Sequence, residues 1–185
     1  MVLTGGASTR MGRDKALVEV GGRALATIAA DALAGAGASE VLAVGGDRPA
    51  LEALGMAVVD DAEPGEGPLG GLLTAIDAAR TDVVMVLSCD LPSANAGSVG
   101  TVLDALLGAP GAAVAWPESG GRRHVLHAAC RASLAQPALA TAFAFGERSL
   151  QRATIGLPHV VVTAILSEVL HNANRPEDLA PRRER

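Results

Sequence analysis

Apolar residues in this chain gather into short runs that end abruptly in glycines or aspartates. Met1-Val2-Leu3 leads straight into Thr4 and two glycines. Glu40-Val-Leu-Ala-Val-Gly45 and Met56-Ala-Val-Val-Asp60 repeat the arrangement, and Thr81-Asp-Val-Val-Met-Val-Leu-Ser88 is the longest example. Unbroken apolar runs of this length, without polar alternation, predict strands buried on both faces, as in a parallel sheet. Helical spacing lies between them. Leu25, Ile28, Ala29 and Ala32 share one face of a helix predicted over Ala24–Leu33, with Gly35 and Gly37 to end it. Pro49–Leu54 gives a shorter helix. The first third therefore alternates strand, helix, strand, helix, strand, which predicts parallel strands joined by crossovers.

Further along, Ala16–Val20 is a short apolar stretch punctuated by Gly21-Gly22, and Ala62–Gly71 is a Pro/Gly-rich loop handing over to a helix at Leu72–Ala79. Thr81–Ser88 is expected at the centre of the sheet. The pattern then predicts a helix at Gly97–Leu107, a strand at Ala112–Trp116 and another at Val125–Ala129. A helix follows at Ser133–Phe145, broken at Pro137. Strands are expected at Val160–Thr163 and Glu168–Ala173, and a terminal helix at Pro176–Leu179. No repeat and no long linker divides the chain, so residues 1–185 read as a single α/β domain with a mostly parallel central sheet and helices on both faces.

Composition narrows the function. Hydrophobic residues make up 49% of the chain but aromatics only 2%, with no tyrosine. The core must be built from Ala, Val and Leu, and few rings are left for stacking bases. A net charge of −5 disfavours nucleic acid and anionic membranes as partners. No apolar run approaches the roughly 18 residues of a membrane span, and the start has no charged-then-apolar secretory leader. Cys89 and Cys130 have neither redox nor metal spacing. Two reduced thiols in a cytoplasmic protein are the expectation.

In such sheets ligands sit over the carboxyl ends of the strands. The loop after Leu3, then Gly45-Gly46, Asp60-Asp61 and Cys89-Asp90, all fall just past a predicted strand end. The first, Leu3-Thr-Gly-Gly-Ala-Ser-Thr-Arg10-Met-Gly-Arg-Asp-Lys15, combines glycines, whose backbone N–H groups can approach a ligand, with the cations Arg10 and Lys15. Together these suit a triphosphate. The loop is neither a P-loop nor a dinucleotide fingerprint, and by composition alone it also describes a solvated turn. Asp90, a lone carboxylate between a buried strand and Pro92, suits Mg2+, which takes one or two carboxylates plus substrate phosphates. A turn or helix cap is the competing role for each acidic residue.

Four segments resemble a known group, the molybdenum cofactor guanylyltransferases among the nucleotide-diphospho-sugar-transferase-like nucleotidyltransferases. They are Leu3-Thr-Gly-Gly-x-x-x-Arg-Met-Gly-x-Asp-Lys15, Gly67-Pro-Leu-Gly-Gly71, Cys89-Asp-Leu-Pro92 and Asn172-Ala-Asn-Arg-Pro-Glu-Asp-Leu179, in the family's order. The resemblance implies a Rossmann-like domain that binds GTP and Mg2+. It would transfer GMP to the terminal phosphate of molybdopterin with release of pyrophosphate, and would make transient contact with molybdoenzymes or their chaperones. On that resemblance Leu3, Thr4, Gly5 and Gly6 bind the nucleotide, Arg10 and Lys15 its phosphates, and Asp61 the nucleoside. Asp90 holds the metal and touches the nucleotide. Asn172 and Asn174 lie toward the pterin or the metal, or else form the turn before a helix entered at Pro176. His127 lies in a stretch like one the family uses near its pterin side; the other histidines read as structural.

Two departures from the family bear on this. Thr4 stands where the family has alanine, which places a hydroxyl beside base or ribose, and the family's first strand is longer than Met1–Leu3. An upstream start or a marginally stable domain is the corresponding expectation. Gly45-Gly46-Asp47 replaces asparagines that approach the base in some members. The rival readings are a cytidylyltransferase acting on molybdopterin, another nucleotidyltransferase of the same fold, and a non-catalytic nucleotide-binding module.

Overall fold

In the computed structural model, which describes residues 1–5, 14–173 and 178, the apolar runs pair into one mainly parallel sheet. The strands are β1 (Val2–Leu3), β2 (Glu19–Val20), β3 (Arg23–Ala24), β4 (Leu42–Val44), β5 (Ala57–Val59), β6 (Val83–Ser88), β7 (Val114–Ser119), β8 (Arg122–Arg123), β9 (His127–Arg131) and β10 (His159–Val162). The helices are α1 (Leu25–Gly35), α2 (Arg48–Ala53), α3 (Gly67–Ala78), α4 (Ala96–Leu107), α5 (Ala132–Ala144) and α6 (Leu150–Ala153). In space the sheet runs β10-β7-β9-β6-β1-β4-β5, with β8 on the end of β7; β2 and β3 form a separate hairpin.

Successive residues of each strand face opposite sides, and each side is covered by helices. Leu3, Val44, Val84 and Val86 point toward α3, α5 and α6, where they meet Leu69, Leu72, Ala75, Ile76, Leu139 and Leu150. Val2, Ala43 and Leu87 face the other way, onto Ala29, Leu33 and Val99 of α1 and α4. A core with so few rings depends on close approach, and alanines on α1 let that helix lie near the sheet.

Although β1 has only two residues, it is fully integrated. Val2 is paired with Ala43 on one side and Leu87 on the other, and Leu3 with Val44 and Ser88. Among the described residues no helix is long and apolar enough to cross a membrane. Both cysteines are free thiols, and both are buried.

Several expectations need correction. The Gly67–Gly71 segment is not loop but the first turn of α3, entered through Pro68, whose fixed φ suits that position. α1 runs through Gly35 and stops where Gly37 turns to a φ of 90°. Pro137 does not break α5; it lies on the exposed face, where water can serve the carbonyl it leaves unbonded. β9 starts later than predicted and runs antiparallel to both β6 and β7. Residues 167–170 form turns rather than a strand. Of the predicted terminal helix, all but Asp178 lies outside the described residues.

At the amino ends of the strands, β6 extends past the start of β1. There Met1, Glu40, Arg80, Val83, Met85 and Leu107 are among the residues lining a cavity of about 520 Å³. The Met1 amine donates to the Met85 carbonyl at 2.7 Å inside it. Burial lowers the pKa of that amine from 8.0 to about 6, while the neighbouring Cys130 thiol, pushed up to about 12, stays neutral.

Candidate active site

β7 and β10 are parallel, and β9 runs antiparallel between β6 and β7, so β1, β4, β5, β6, β7 and β10 all end on one rim. From β1 the chain builds outward to β4 and β5, then returns to β6 on the other side of β1. The reversal between β1 and β6 is the switch point at which open α/β sheets bind ligands. The exit of β1 is pinned from both sides. The Leu3 carbonyl accepts from the Cys89 N–H at 3.2 Å, and the N–H groups of Thr4 and Gly5 both donate to the Val44 carbonyl, at 3.1 and 3.0 Å.

Directly after β6, Asp90 gathers two distant segments. Lys15 Nζ lies 3.0 Å from Asp90 Oδ2, and Asn172 Nδ2 donates to Oδ1 at 2.8 Å. The Ala173 N–H adds a bond to the Asp90 carbonyl at 2.8 Å. Side-chain exposures of 17% for Lys15 and 15% for Asp90 leave the pair shielded yet reachable from the rim. Lys15 is set in place by its neighbour. Asp14 caps the single 3-10 turn Lys15–Leu17 by accepting from the Ala16 N–H, and its other oxygen accepts from the Asp47 N–H at 3.0 Å. The cation-bearing turn is therefore tied to the Gly45–Asp47 loop.

On the other side of β1 stands Asp61. Its Oδ1 accepts from the Glu63 N–H at 3.0 Å and faces the Thr74 hydroxyl at 3.2 Å. Its Oδ2 lies 3.5 Å from the point where a side chain on Gly5 would begin. Gly45, at a φ of 72°, packs against Gly5 so closely that a Cβ there would sit 3.1 Å from the Gly5 Cα. Gly70 serves in a similar way: a Cβ would come 3.0 Å from Glu63 Cβ, so its absence lets the segment after Asp61 lie on α3.

Leu3, Thr4, Gly5 and Asp61 thus lie together beside β4, and Lys15, Asp90 and Asn172 meet beside β6. Gly6, Arg10 and Asn174 lie outside the described residues. The Thr4 hydroxyl is buried and points at the Gly45 and Val44 carbonyls, 2.8 and 3.0 Å away, so it fastens the loop to β4. His127 is buried in the core, and burial lowers its pKa to about 4, which keeps it neutral. His159 stacks on Trp116. Sequence reading passed over Asp14 and Thr74. A carboxylate directly before Lys15, and a hydroxyl one helical turn beyond Gly70, were the available signals.

A divalent cation fits this donor set. Among the described residues no three His, Cys, Asp or Glu side chains form a metal cage, but Mg2+ needs few protein ligands when a substrate supplies phosphate oxygens. Asp90, with the amide oxygen of Asn172 beside it, offers hard oxygen ligands. The rim also carries Asp14, Asp47, Asp60 and Asp61, so a polyanion arriving here would require added positive charge.

Residues 1–160 match the family described as MobA-like NTP transferase domain. The chain is 34% identical over 180 residues to a probable molybdenum cofactor guanylyltransferase of Deinococcus radiodurans, covering 97% of this chain and 90% of that one. It is 42% identical over 104 residues to a molybdenum cofactor guanylyltransferase of Xanthomonas euvesicatoria; that match spans 56% of this chain and 52%, about half, of the relative. Among solved structures, molybdopterin-guanine dinucleotide biosynthesis protein A from Archaeoglobus fulgidus shares the fold, with a TM-score of 0.75 at 23% identity over 96% of this chain and 93% of that one.

The packing of α3 gives a paired prediction. A Cβ on Gly70 meets Glu63, whereas one on Gly71 makes an ordinary 3.8 Å contact with Leu3. Gly70→Ala should be less stable than Gly71→Ala by about 1–3 kcal/mol in urea unfolding, since both gain the same helix propensity. Equal stabilities would contradict the close approach of the two segments.

Proposed function

The chain belongs to the MobA-like NTP transferase family, and we propose that it transfers GMP from GTP to the terminal phosphate of molybdopterin. The observation that carries this reading is the meeting of Lys15, Asp90 and Asn172 at the switch point of the sheet. The names of its relatives, which describe guanylyl transfer to the molybdenum cofactor, support the choice of donor and acceptor.

In this mechanism the backbone at Leu3–Gly5, with Gly6, receives the nucleoside, and Asp61 accepts a hydrogen bond from it. Lys15 leaves Asp90 Oδ2 for the phosphates, joined by Arg10, and the two draw charge from the departing pyrophosphate. Asp90 would hold Mg2+, which when bound neutralises phosphate oxygens near the α-phosphorus. An oxygen of the acceptor phosphate forms the new bond to that phosphorus, and the bond to the bridging oxygen breaks, the electron pair leaving with pyrophosphate. The nucleophile arrives as an anion, so no general base is needed. That agrees with a buried, neutral His127. Positioning carries the rest of the rate enhancement. Asn172, which steadies Asp90, would serve the acceptor side, a role the resemblance extends to Asn174.

Calorimetry with Mg2+ present should find GTP bound more tightly than CTP or ATP. Equal binding of the three, or none, would remove the guanylyl reading, and preference for CTP would move the chain to the cytidylyl one. Asp90→Ala should abolish turnover; retained turnover would contradict the metal role. Lys15→Ala should weaken triphosphate binding by about 1.5–3 kcal/mol, the scale of a hydrogen bond to a charged group.

A further inference from the structure

Asp61 is held asymmetrically, and one of the groups that hold it is the buried hydroxyl of Thr74. Thr74 lies on α3, is 6% exposed and has its hydroxyl oxygen 3.1 Å from the Ala62 N–H, which donates to it. The one hydroxyl proton can serve Asp61 Oδ1 at 3.2 Å or the Gly70 carbonyl at 3.1 Å. A carboxylate is the stronger acceptor. Since the Glu63 N–H also donates to Oδ1, that oxygen is occupied by two groups of the protein. Oδ2 is left to face the Gly5 backbone.

We propose that Thr74 is a positioning residue for nucleoside recognition: it locks Asp61 Oδ1 so that Oδ2 is presented to a hydrogen-bond donor of the bound nucleoside beside Gly5. This rests on the reading of Asp61 given above and adds the residue that aims it. A carboxylate free to rotate would sample geometries in which neither oxygen meets the ligand. Thr74 removes that freedom before the ligand arrives, so the ordering is not charged to binding. The placement also gives the Gly67–Gly71 turn a role at the site. By letting the segment after Asp61 lie on α3, Gly70 brings the carboxylate within reach of a hydroxyl one turn further along the helix.

Thr74→Val keeps the shape and removes the hydroxyl; Thr74→Ser keeps the hydroxyl. With calorimetry of GTP and Mg2+, and with kcat and KM measured well below each variant's Tm, Thr74→Val should weaken GTP binding about fivefold to tenfold, leaving kcat within about twofold. Thr74→Ser should bind like the parent. Asp61→Asn should weaken binding at least as much, and Thr74→Val added to Asp61→Asn should cost nothing further. Weakened binding in Asp61→Asn beside unchanged binding in Thr74→Val would overturn the positioning role alone. Multiplying effects in the double variant would do the same. Unchanged binding in Asp61→Asn would overturn the nucleoside role of Asp61 and this inference with it.

Discussion

The Asp90 carboxylate is the constraint on which the site depends. Lys15 is 75 residues away in sequence and Asn172 is 82, yet each holds one of its two oxygens. Neither partner lies on a neighbouring turn, so the whole sheet must be assembled before the three meet. The pairing is shielded enough to be stronger than a surface ion pair and open enough for a phosphate to compete for the lysine. In the proposed mechanism Asp90 would trade the lysine for a hard cation and Lys15 would trade the carboxylate for a phosphate, two halves of one exchange.

The sheet makes that exchange possible by bringing separate strand ends to one edge. β1 is two residues long, but it lies between β4 and β6 and is bonded on both sides, so Thr4 and Gly5 at its exit are held in place. Glycine at positions 5 and 45 lets the two loops touch back to back, and Thr4 fastens them with its hydroxyl. The cavity beside Met1 lies at the opposite end of the strands, where Glu40 and Arg80 join apolar side chains in its lining. The direction of the strands, rather than the presence of a cavity, marks the end at which open α/β sheets bind ligands.

Much of this was legible in the sequence because burial on both faces leaves a plain mark. Thr81–Ser88 reads as a central strand, and β6 is one. Asp61 and Asp90 read as rim residues because each follows such a run at once. What local pattern cannot carry is partnership. Nothing near Asp90 announces that Asn172 will close on it, and nothing in Val125–Ala129 announces that β9 will run antiparallel. Gly67-Pro-Leu-Gly-Gly71 reads as loop because the reason for glycine at position 70 is tertiary, the close approach of Glu63. Thr74 was overlooked for the same cause, a hydroxyl whose partner is thirteen residues upstream. Pro137 misled in the opposite direction, because exposure to water offsets the bond it cannot make.

Following the fate of labelled phosphorus tests the central claim most directly. With GTP labelled at the α-phosphate and molybdopterin as acceptor, the label should appear in a guanine dinucleotide product, while label at the γ-phosphate leaves as pyrophosphate. Both should occur with the parent protein and neither with Asp90→Ala. Release of γ-label as inorganic phosphate, or transfer of α-label that survives loss of the Asp90 carboxylate, would contradict the account.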